Sequence, residues 1–312
     1  MLMGTVLEME VEAPDRAAAL AASEKAVATL EAAEARLSTW REDTELARLN
    51  RAPVGARVAL SPRLAADLDA ARLCWQETGG AFDPAVGPLV KAWGLRERSP
   101  KTPGAAELAA AVAASRMEGL VLEGGVAVRA RTDLAIEEGG FGKGAGLGDA
   151  VAALAADPAV SRAVLDLGGQ VAVYARQRSE RRPEPWKVPV ADPRRRDRLV
   201  VELTVDGGSV STSGTSERGR HILDPRTGAP ASDFGSLTVW TADPLTADCL
   251  STGLYVMGPE AAMAWAAAHP GVEVLVLRPR GKQLEALATP GLAGRLRALS
   301  PEIHIALWKE KP

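Results

Sequence analysis

Two polar residues in the C-terminal third of the chain have the types and the spacing that phosphate chemistry requires. Asp248 and Thr252, in the segment TADCLSTG, are four residues apart, so on a helix their side chains lie on one face, one turn apart. A carboxylate and a hydroxyl in this arrangement can share a hard cation such as Mg²⁺, which prefers oxygen ligands. The alternative is an aspartate that only interacts with the dipole at the start of a helix.

The segment EEGGFGKGAGLGDA, residues 137–150, contains six glycines and a single lysine, Lys143. Glycines at this density let a backbone approach a phosphate group closely. The Walker A pattern is excluded, because the lysine is followed by glycine and the position of the first glycine holds glutamate. Gly140, Gly142 and Ala145 match the dinucleotide-binding pattern GxGxxA, but the preceding chain lacks the βαβ context of that pattern. A turn at a helix start without any ligand is the other alternative.

His221 is one of three histidines and lies in the turn-rich segment RHILDPRTGAP. The imidazole of histidine titrates near neutral pH, which suits general acid–base catalysis. A turn histidine bonded to the backbone is the alternative. The preceding segment STSGTSERG, residues 211–219, offers hydroxyls and backbone donors to a phosphate or a substrate. It lacks the GxSxG pattern of a nucleophilic serine.

Aromatic residues occur in two further loop segments, at Trp40 in LSTWRED and at Phe82 in GGAFDPAVGP. Aromatic side chains in loops can stack on a planar ring of a ligand, although they more often cover the edge of a core.

The composition limits the class of protein. Of the 312 residues, 46% are hydrophobic and 25% are charged, as in a globular protein with a sizeable core, and the length fits one large domain or two ordinary ones. The net charge of −3 and the pI near 5.8 argue against a nucleic-acid partner. Cys74 and Cys249 form no CxxC pair and are expected to be buried free thiols, with a disulfide between them as the alternative.

The sequence also gives an expectation for localisation. It contains no run of about 18 apolar residues, so we expect no membrane span. The first residues, MLMGTVLEMEVEA, lack the basic start and the apolar stretch of a secretory signal. The sequence as written predicts a cytoplasmic protein, or a periplasmic or membrane-anchored one if the true start lies upstream.

The order of the predicted elements favours an α+β fold, because strands and helices mix without a regular βαβ order. Residues 81–104, which are rich in proline, are predicted to be mostly loop. The predicted helices cover residues 15–37, 44–50, 62–77, 105–115, 143–156, 246–256 and 259–268. The predicted strands cover residues 4–13, 119–122, 126–130, 133–137, 162–167, 171–175, 186–190, 199–204, 209–212, 236–242, 272–278 and 302–308. In this prediction Lys143 is the first residue of a helix, and His221 lies in a loop.

Nine segments, taken in order, resemble the motifs of the ApbE family, the FAD:protein FMN transferases. The two most specific are HILDPRTG at 221–228, similar to the family's HxxDPxTG, and ADCLST at 247–252, similar to ADxxxT. The others are MGT at 3–5, STWR at 38–41, ELARLN at 45–50, FDP at 82–84, EEGGFGKG at 137–144, DLGG at 166–169 and TSG at 212–214.

The resemblance implies a fold and a reaction. The fold would be α+β, with mixed sheets and flanking helices in two closely associated lobes around an FAD cleft, as a single domain over residues 1–312. The reaction would be the Mg²⁺-dependent transfer of FMN from FAD to a threonine hydroxyl of a target flavoprotein, with release of AMP. Hydrolysis of FAD to FMN and AMP, or binding of FAD without catalysis, are the alternatives.

The resemblance also implies roles for single residues. Asp248, Thr252 and the Gly140 carbonyl would hold the metal, and His221 would deprotonate the acceptor threonine. The residues implied in FAD binding are Met3, Trp40, Ala81, Phe82, Asp83, Glu137, Lys143 and Leu223. The chain departs from the family at two positions, since Glu137 replaces an aspartate and Gly142 replaces an alanine.

Overall fold

The computed structural model describes residues 2–97, 99–176, 184–215, 219 and 221–309. In this part of the chain the helices are α1 (Arg16–Leu37), α2 (Glu45–Arg51), α3 (Pro62–Glu77), α4 (Gly87–Ala92), α5 (Ala105–Ala114), α6 (Gly142–Ala156), α7 (Pro244–Met257) and α8 (Pro259–Ala267). The strands in the same residues are β1 (Leu7–Glu12), β2 (Arg57–Ala59), β3 (Leu120–Glu123), β4 (Val126–Arg129), β5 (Arg162–Leu167), β6 (Gln170–Ala175), β7 (Trp186–Asp192), β8 (Arg195–Val205), β9 (Gly208–Gly214), β10 (Ser236–Thr241), β11 (Glu273–Arg280), β12 (Gln283–Ala288), β13 (Leu296–Ala298) and β14 (Ile303–Leu307).

The described strands form one large sheet and two small ones. The large sheet has the order β1-β5-β6-β9-β10-β11-β12-β14, and the small sheets are β13-β8-β7 and β2-β4-β3. All neighbours in the large sheet are antiparallel except β12 and β14. This mainly antiparallel pairing confirms the α+β fold, because a dinucleotide-binding fold of the GxGxxA type requires a parallel sheet.

The two faces of the large sheet are covered differently. α7 packs on β9 and β10, and α6 packs on β5 and β6. On the other face, Val210 of β9 packs with Val201 and Leu203 of β8 in an aliphatic core. Successive side chains of a strand point to opposite faces, so Ser211 and Ser213 of β9 point toward α7.

The start of α7 is fixed by its cap. The side chain of Asp243 accepts a hydrogen bond from Thr246 N at 2.8 Å, and Pro244 occupies the first turn, where its missing N–H costs nothing. The capped start determines which side chains of α7 face the glycine-rich segment at the start of α6. Asp248 and Thr252 are on that face.

Gly144 allows α6 and α7 to approach each other closely. A Cβ atom at this position would lie 2.7 Å from Leu245 Cα and closer still to the carbonyl of Pro244. Only glycine fits at such a distance, since no side-chain carbon tolerates a contact that short. The close approach brings the backbone of Gly144 within hydrogen-bonding distance of Asp248.

The predicted strand at 133–137 is wrong. Ile136 is buried, and its backbone N–H and C=O both bond to the side-chain amide of Asn50 at 2.8 Å. The N–H of Glu137 donates to the carbonyl of Pro84 at 2.7 Å. An amide side chain therefore satisfies the backbone where a neighbouring strand was expected. The proline-rich stretch also contains a helix, α4, which begins with Pro88 in its first turn.

Two smaller expectations are met by the described residues. Cys74 and Cys249 are both buried, and neither forms a disulfide. None of the helices described here has the length and the apolar character needed to cross a membrane.

Candidate active site

A cavity of about 730 Å³ opens where the N-terminal residues, the loops beside α4, the start of α6, the end of β9 and the exposed face of α7 meet. Small-molecule sites commonly measure roughly 300–1,000 Å³, so the cavity suits a ligand much larger than an ion. All twelve residues for which sequence analysis expects a site role line it: Met3, Trp40, Ala81, Phe82, Asp83, Glu137, Gly140, Lys143, His221, Leu223, Asp248 and Thr252.

Asp248 lies at the floor of this cavity and is only 3% exposed. Its Oδ2 accepts a hydrogen bond from Gly144 N at 2.9 Å, and its Oδ1 lies 3.3 Å from Lys143 Nζ. A buried carboxylate requires such partners, because burial without them would cost several kcal/mol. Both partners, a neutral backbone N–H and an ammonium, come from the start of α6, so the glycine-rich segment and α7 meet at one carboxylate.

Thr252 and Gly140 lie beside Asp248. A Cβ atom built on Gly140 would be 3.6 Å from Thr252 Oγ1, so the backbone of the glycine-rich segment passes close to the hydroxyl. In the described residues, no group of three or more histidine, cysteine or carboxylate side chains is arranged to hold a metal ion. A cation here would rely on hydroxyl and backbone oxygens beside one carboxylate, and an all-oxygen set of this kind fits Mg²⁺.

The position of Asp248 is reinforced from the large sheet. Ser251 Oγ donates to the carbonyl of Asp248 at 3.0 Å, and it also lies 3.1 Å from Ser211 Oγ and 2.9 Å from Ser213 Oγ. This chain of buried hydroxyls connects the end of β9 to the turn of α7 that carries the carboxylate. Sequence analysis did not assign a role to Ser251, and only its place inside the ADxxxT motif could have indicated one.

Glu137 occupies a more polar wall of the cavity. Its carboxylate forms an ion pair with Arg96 and lies 3.4 Å from Thr39 Oγ1, while the adjacent Glu138 bonds to the N–H and the hydroxyl of Thr39. Burial raises the pKa of Glu137 to about 7, against the opposing effect of the Arg96 charge. Glu137 is therefore sensitive to changes of pH near neutrality.

Arg96 is a residue of the site that sequence analysis missed. Its guanidinium donates to the carbonyl of Thr39 at 2.9 Å, and its Cζ lies 4.6 Å from the centroid of the Trp40 ring. The guanidinium thus joins the acidic pair at 137 and 138 to an aromatic ring that is 66% exposed. Arg96 follows α4 in a proline-rich loop, where no periodicity or motif indicates its position.

Asp83 lines the cavity, but its carboxylate is engaged with the backbone. Oδ1 accepts from Ala85 N at 2.8 Å, and Oδ2 accepts from Met117 N at 3.1 Å. Burial raises the pKa of Asp83 to about 7, although both amide bonds act in the opposite direction. What the structure shows for Asp83 is a role in holding the loop that carries Phe82, and its contact with a ligand stays a prediction.

His221 lies at another wall of the cavity. Its Nδ1 is 3.1 Å from the carbonyl oxygen of Gly219, and its backbone N–H donates to the same oxygen at 2.9 Å. Because a carbonyl can only accept, Nδ1 carries the proton in the neutral ring, and the lone pair lies on Nε2. This tautomer suits a base that takes up a proton at Nε2.

The remaining lining residues are apolar. Phe82 packs against Gly140 and Gly253, where a Cβ atom would lie 3.0 Å and 2.8 Å from it, respectively. Met3 and Leu223 border the same space from the N-terminus and from the loop after His221. The cavity therefore has a charged end at Asp248 and Lys143 and an apolar part that can hold a planar ring.

The fold and the cavity define an α+β protein whose candidate ligand site has a charged end beside an apolar part. More specifically, the chain belongs to the ApbE family, whose sequence model matches residues 3–276. Among curated relatives, an FAD:protein FMN transferase of Treponema pallidum is 31% identical over 96% of this chain and 88% of its own length. That of Vibrio cholerae is 32% identical over 77% of this chain and 74% of its own length.

Solved structures agree with this family. The flavin transferase ApbE from Vibrio cholerae superimposes with a TM-score of 0.82 at 28% identity, covering 95% of this chain and 97% of that one. The ApbE protein from Thermotoga maritima gives a TM-score of 0.80 at 25% identity, covering 89% of this chain and 92% of that one. The α+β fold with mixed sheets and flanking helices, predicted from the resemblance, is thereby confirmed. The assignment of residues 1–312 to a single domain stays a prediction.

Proposed function

We propose that this protein is an FAD:protein FMN transferase that uses Mg²⁺, moves FMN from FAD to a threonine hydroxyl of a target flavoprotein, and releases AMP. The observation that carries the proposal is the meeting of Lys143, Asp248, Thr252 and the Gly140 backbone at one end of the cavity that His221 also lines. Storage of FAD requires neither a cation site nor a base, whereas phosphoryl transfer uses both.

The charged end of the cavity would hold the diphosphate of FAD. Asp248, Thr252 and the Gly140 carbonyl are the proposed ligands of Mg²⁺, which when bound would neutralise charge on the diphosphate. The ammonium of Lys143 adds a positive charge at the same place. The Gly142 and Gly144 backbone lets the phosphates approach the start of α6.

The apolar part of the cavity would hold the remainder of FAD. We assign its adenine and ribitol surroundings to Met3, Trp40, Ala81, Phe82, Asp83 and Leu223, all of which line the cavity. Glu137 would bind FAD through its carboxylate. Its side chain is one methylene longer than aspartate, and Arg96 forms an ion pair with that carboxylate.

The acceptor hydroxyl would react at the FMN phosphorus. His221 Nε2 removes the proton of the threonine hydroxyl, and the oxygen forms a bond to the phosphorus while the bond between this phosphorus and the bridging oxygen of AMP breaks. AMP leaves with that oxygen, and the proton stays on the imidazole until solvent removes it. Atoms and charge balance without a further reactant.

The decisive experiment incubates the purified protein with FAD, Mg²⁺ and a flavoprotein domain that contains an acceptor threonine. Covalent flavin fluorescence in a denaturing gel, together with AMP in the supernatant, supports the proposal. AMP without covalent flavin identifies an FAD hydrolase, and bound FAD without AMP identifies a binding protein. Replacing the acceptor threonine with valine is the matched control and should abolish the fluorescent band.

A further inference from the structure

The end of β9 has an open edge beside the candidate active site. Over residues 209–214, β9 pairs with β10, but its pairing with β6 ends at Val210. β6 begins only at Gln170, after a tight turn at Gly168 and Gly169. Within the ranges that the structure describes, no strand lies on the β6 side of residues 211–214. An edge of this kind presents backbone N–H and C=O groups to a further strand.

A second cavity, of about 380 Å³, lies beside this edge and is named here the side cavity. It is bounded by the β5–β6 turn, the start of β1, and the hairpin of β7 and β8. Gly168, Thr212 and Gly214 line both the side cavity and the cavity of the candidate active site. The two cavities therefore adjoin at the open edge of β9.

Side chains alternate across this edge. Ser211 and Ser213 point toward α7, which carries Asp248 and Thr252, and they bond to Ser251. Thr212 points to the opposite face, where its hydroxyl lies 2.8 Å from that of Thr238. A strand added to the edge would alternate in the same way, with every second side chain on the α7 face and the others on the face of the side cavity.

We propose that the acceptor protein binds as an extended strand along the open edge of β9 at residues 211–214. The proposal rests on the proposed function, because it concerns how that reaction receives its second substrate. The acceptor hydroxyl points to the α7 face and reaches the diphosphate end of the active site. The residues one position before and after it point into the side cavity. Strand addition of this type supplies affinity through the backbone and selectivity through alternate side chains.

The lining of the side cavity indicates which side chains it accepts. Leu199 of β8 is 50% exposed and lines the side cavity, as does Ala191 of β7, which pairs with it in the register. Charged residues also line the side cavity, namely Glu8, Asp166, Asp192 and Arg196. A neighbouring residue with an apolar stem and a polar end suits this mixed lining, since the stem covers Leu199 while the end stays near the charges.

The first test uses wild-type protein and synthetic acceptor peptides with one threonine in a randomised background. A single backbone N-methyl group is placed at each position in turn, and covalent FMN transfer is measured. Removing an N–H that donates to β9 should lower kcat/KM about tenfold, and the loss should recur at every second position. Equal effects at successive positions, or no effect at any position, would overturn the proposal.

The second test uses a substitution in the wall of the side cavity. Leu199→Ser should raise the KM for the acceptor about tenfold, with kcat at saturating acceptor and the Kd for FAD unchanged. Leu73→Ser is the matched control, because Leu73 is 55% exposed on α3 and lines neither cavity. The control should match the wild type in every measurement.

The outcomes separate this proposal from the function on which it rests. Wild-type protein that transfers no flavin to any threonine-bearing acceptor overturns both. Normal transfer by wild type, with an unchanged acceptor KM in Leu199→Ser, overturns the assignment of the side cavity and leaves the function in place. The N-methyl series needs no variant protein, so a folding defect of Leu199→Ser cannot obscure the result.

Discussion

At the scale of single residues, the chemistry of the site converges on Asp248. One of its oxygens is held by the backbone of Gly144, and the other faces Lys143. The hydrogen bond from Gly144 fixes the orientation of the carboxylate, and the ammonium of Lys143 balances its negative charge. A buried acid held in this way is already oriented for the cation that we propose to bind there.

Asp248→Asn should lower FMN transfer about a thousandfold, because the amide keeps the shape of the side chain and loses the charge that holds a divalent cation. FAD affinity measured without Mg²⁺ should change less than about tenfold, since the apolar part of the cavity is untouched. Transfer kinetics and FAD fluorescence titration measure the two effects. Asp243→Asn is the control, because asparagine also caps α7. Equal losses of transfer and FAD affinity would contradict the metal role.

Glu137 makes stability depend on pH. Folding raises its pKa from an ordinary value of 4.5 to about 7, so the folded state favours the protonated carboxyl. This contribution is fully present below about pH 4.5 and is lost as the pH rises through about 7, and it amounts to at most roughly 3 kcal/mol. Glu137→Gln should therefore gain stability relative to wild type between those values.

Thermal unfolding from pH 4.5 to pH 8 measures this difference. The advantage of Glu137→Gln should grow with pH, while Glu31→Gln, at an exposed position of α1, should follow wild type throughout. A constant difference between Glu137→Gln and wild type across the range would show that burial of Glu137 does not determine the pH dependence.

At the scale of elements, the site depends on how α6, α7 and β9 are held together. Gly144 sets the distance between α6 and α7, and the hydroxyls of Ser211, Ser213 and Ser251 connect β9 to α7. The three elements carry Lys143, Asp248 and the open edge, so any shift between them misaligns the site.

Gly144→Ala should destabilise the protein by about 1–3 kcal/mol, because the added methyl group would collide with the backbone at Pro244 and Leu245. Gly148→Ala, one turn further along α6, is the matched control. Its nearest neighbours lie 4.0 Å away, so alanine should stabilise α6 by about 0.5–1 kcal/mol. Urea unfolding measures both changes. Similar effects of the two substitutions would contradict the proposed closeness of α6 and α7.

The elements were predictable wherever local signals determine them. Ser61 and Pro62 mark the start of α3, and the alternating strands β5 to β10 follow their apolar patterns. The alternating segment at 133–137 is not a strand, because the backbone N–H and C=O of Ile136 bond to the side chain of Asn50 instead of to a neighbouring strand. Asn50 is remote in sequence, so no local pattern indicates this contact. Arg96 was missed for a similar reason, since its contact with Glu137 exists only after the loop is folded.

At the scale of the whole molecule, the cavity joins parts of the chain that are far apart in sequence. Met3, Glu137 and Asp248 come from the N-terminus, the middle and the C-terminal third, and they border one space. The motifs of the ApbE resemblance made this convergence predictable, whereas composition and periodicity indicate no more than an α+β fold. The open edge of β9 could not be predicted, because it depends on where β6 begins.

FAD and Mg²⁺ should stabilise this assembly cooperatively. In the proposed site the chain would offer the cation one carboxylate, one hydroxyl and a backbone carbonyl, so the FAD diphosphate would have to complete the ligand set. Each ligand then raises the affinity of the other by the same factor, about 5–150-fold. In thermal unfolding, Mg²⁺ alone should change Tm little. Mg²⁺ added to the FAD complex should raise Tm by roughly 2–4 °C above the value with FAD alone. EDTA should reverse that increment, and Asp248→Asn should lack it while keeping the response to FAD. An equal response to Mg²⁺ with and without FAD would place the cation outside the shared site.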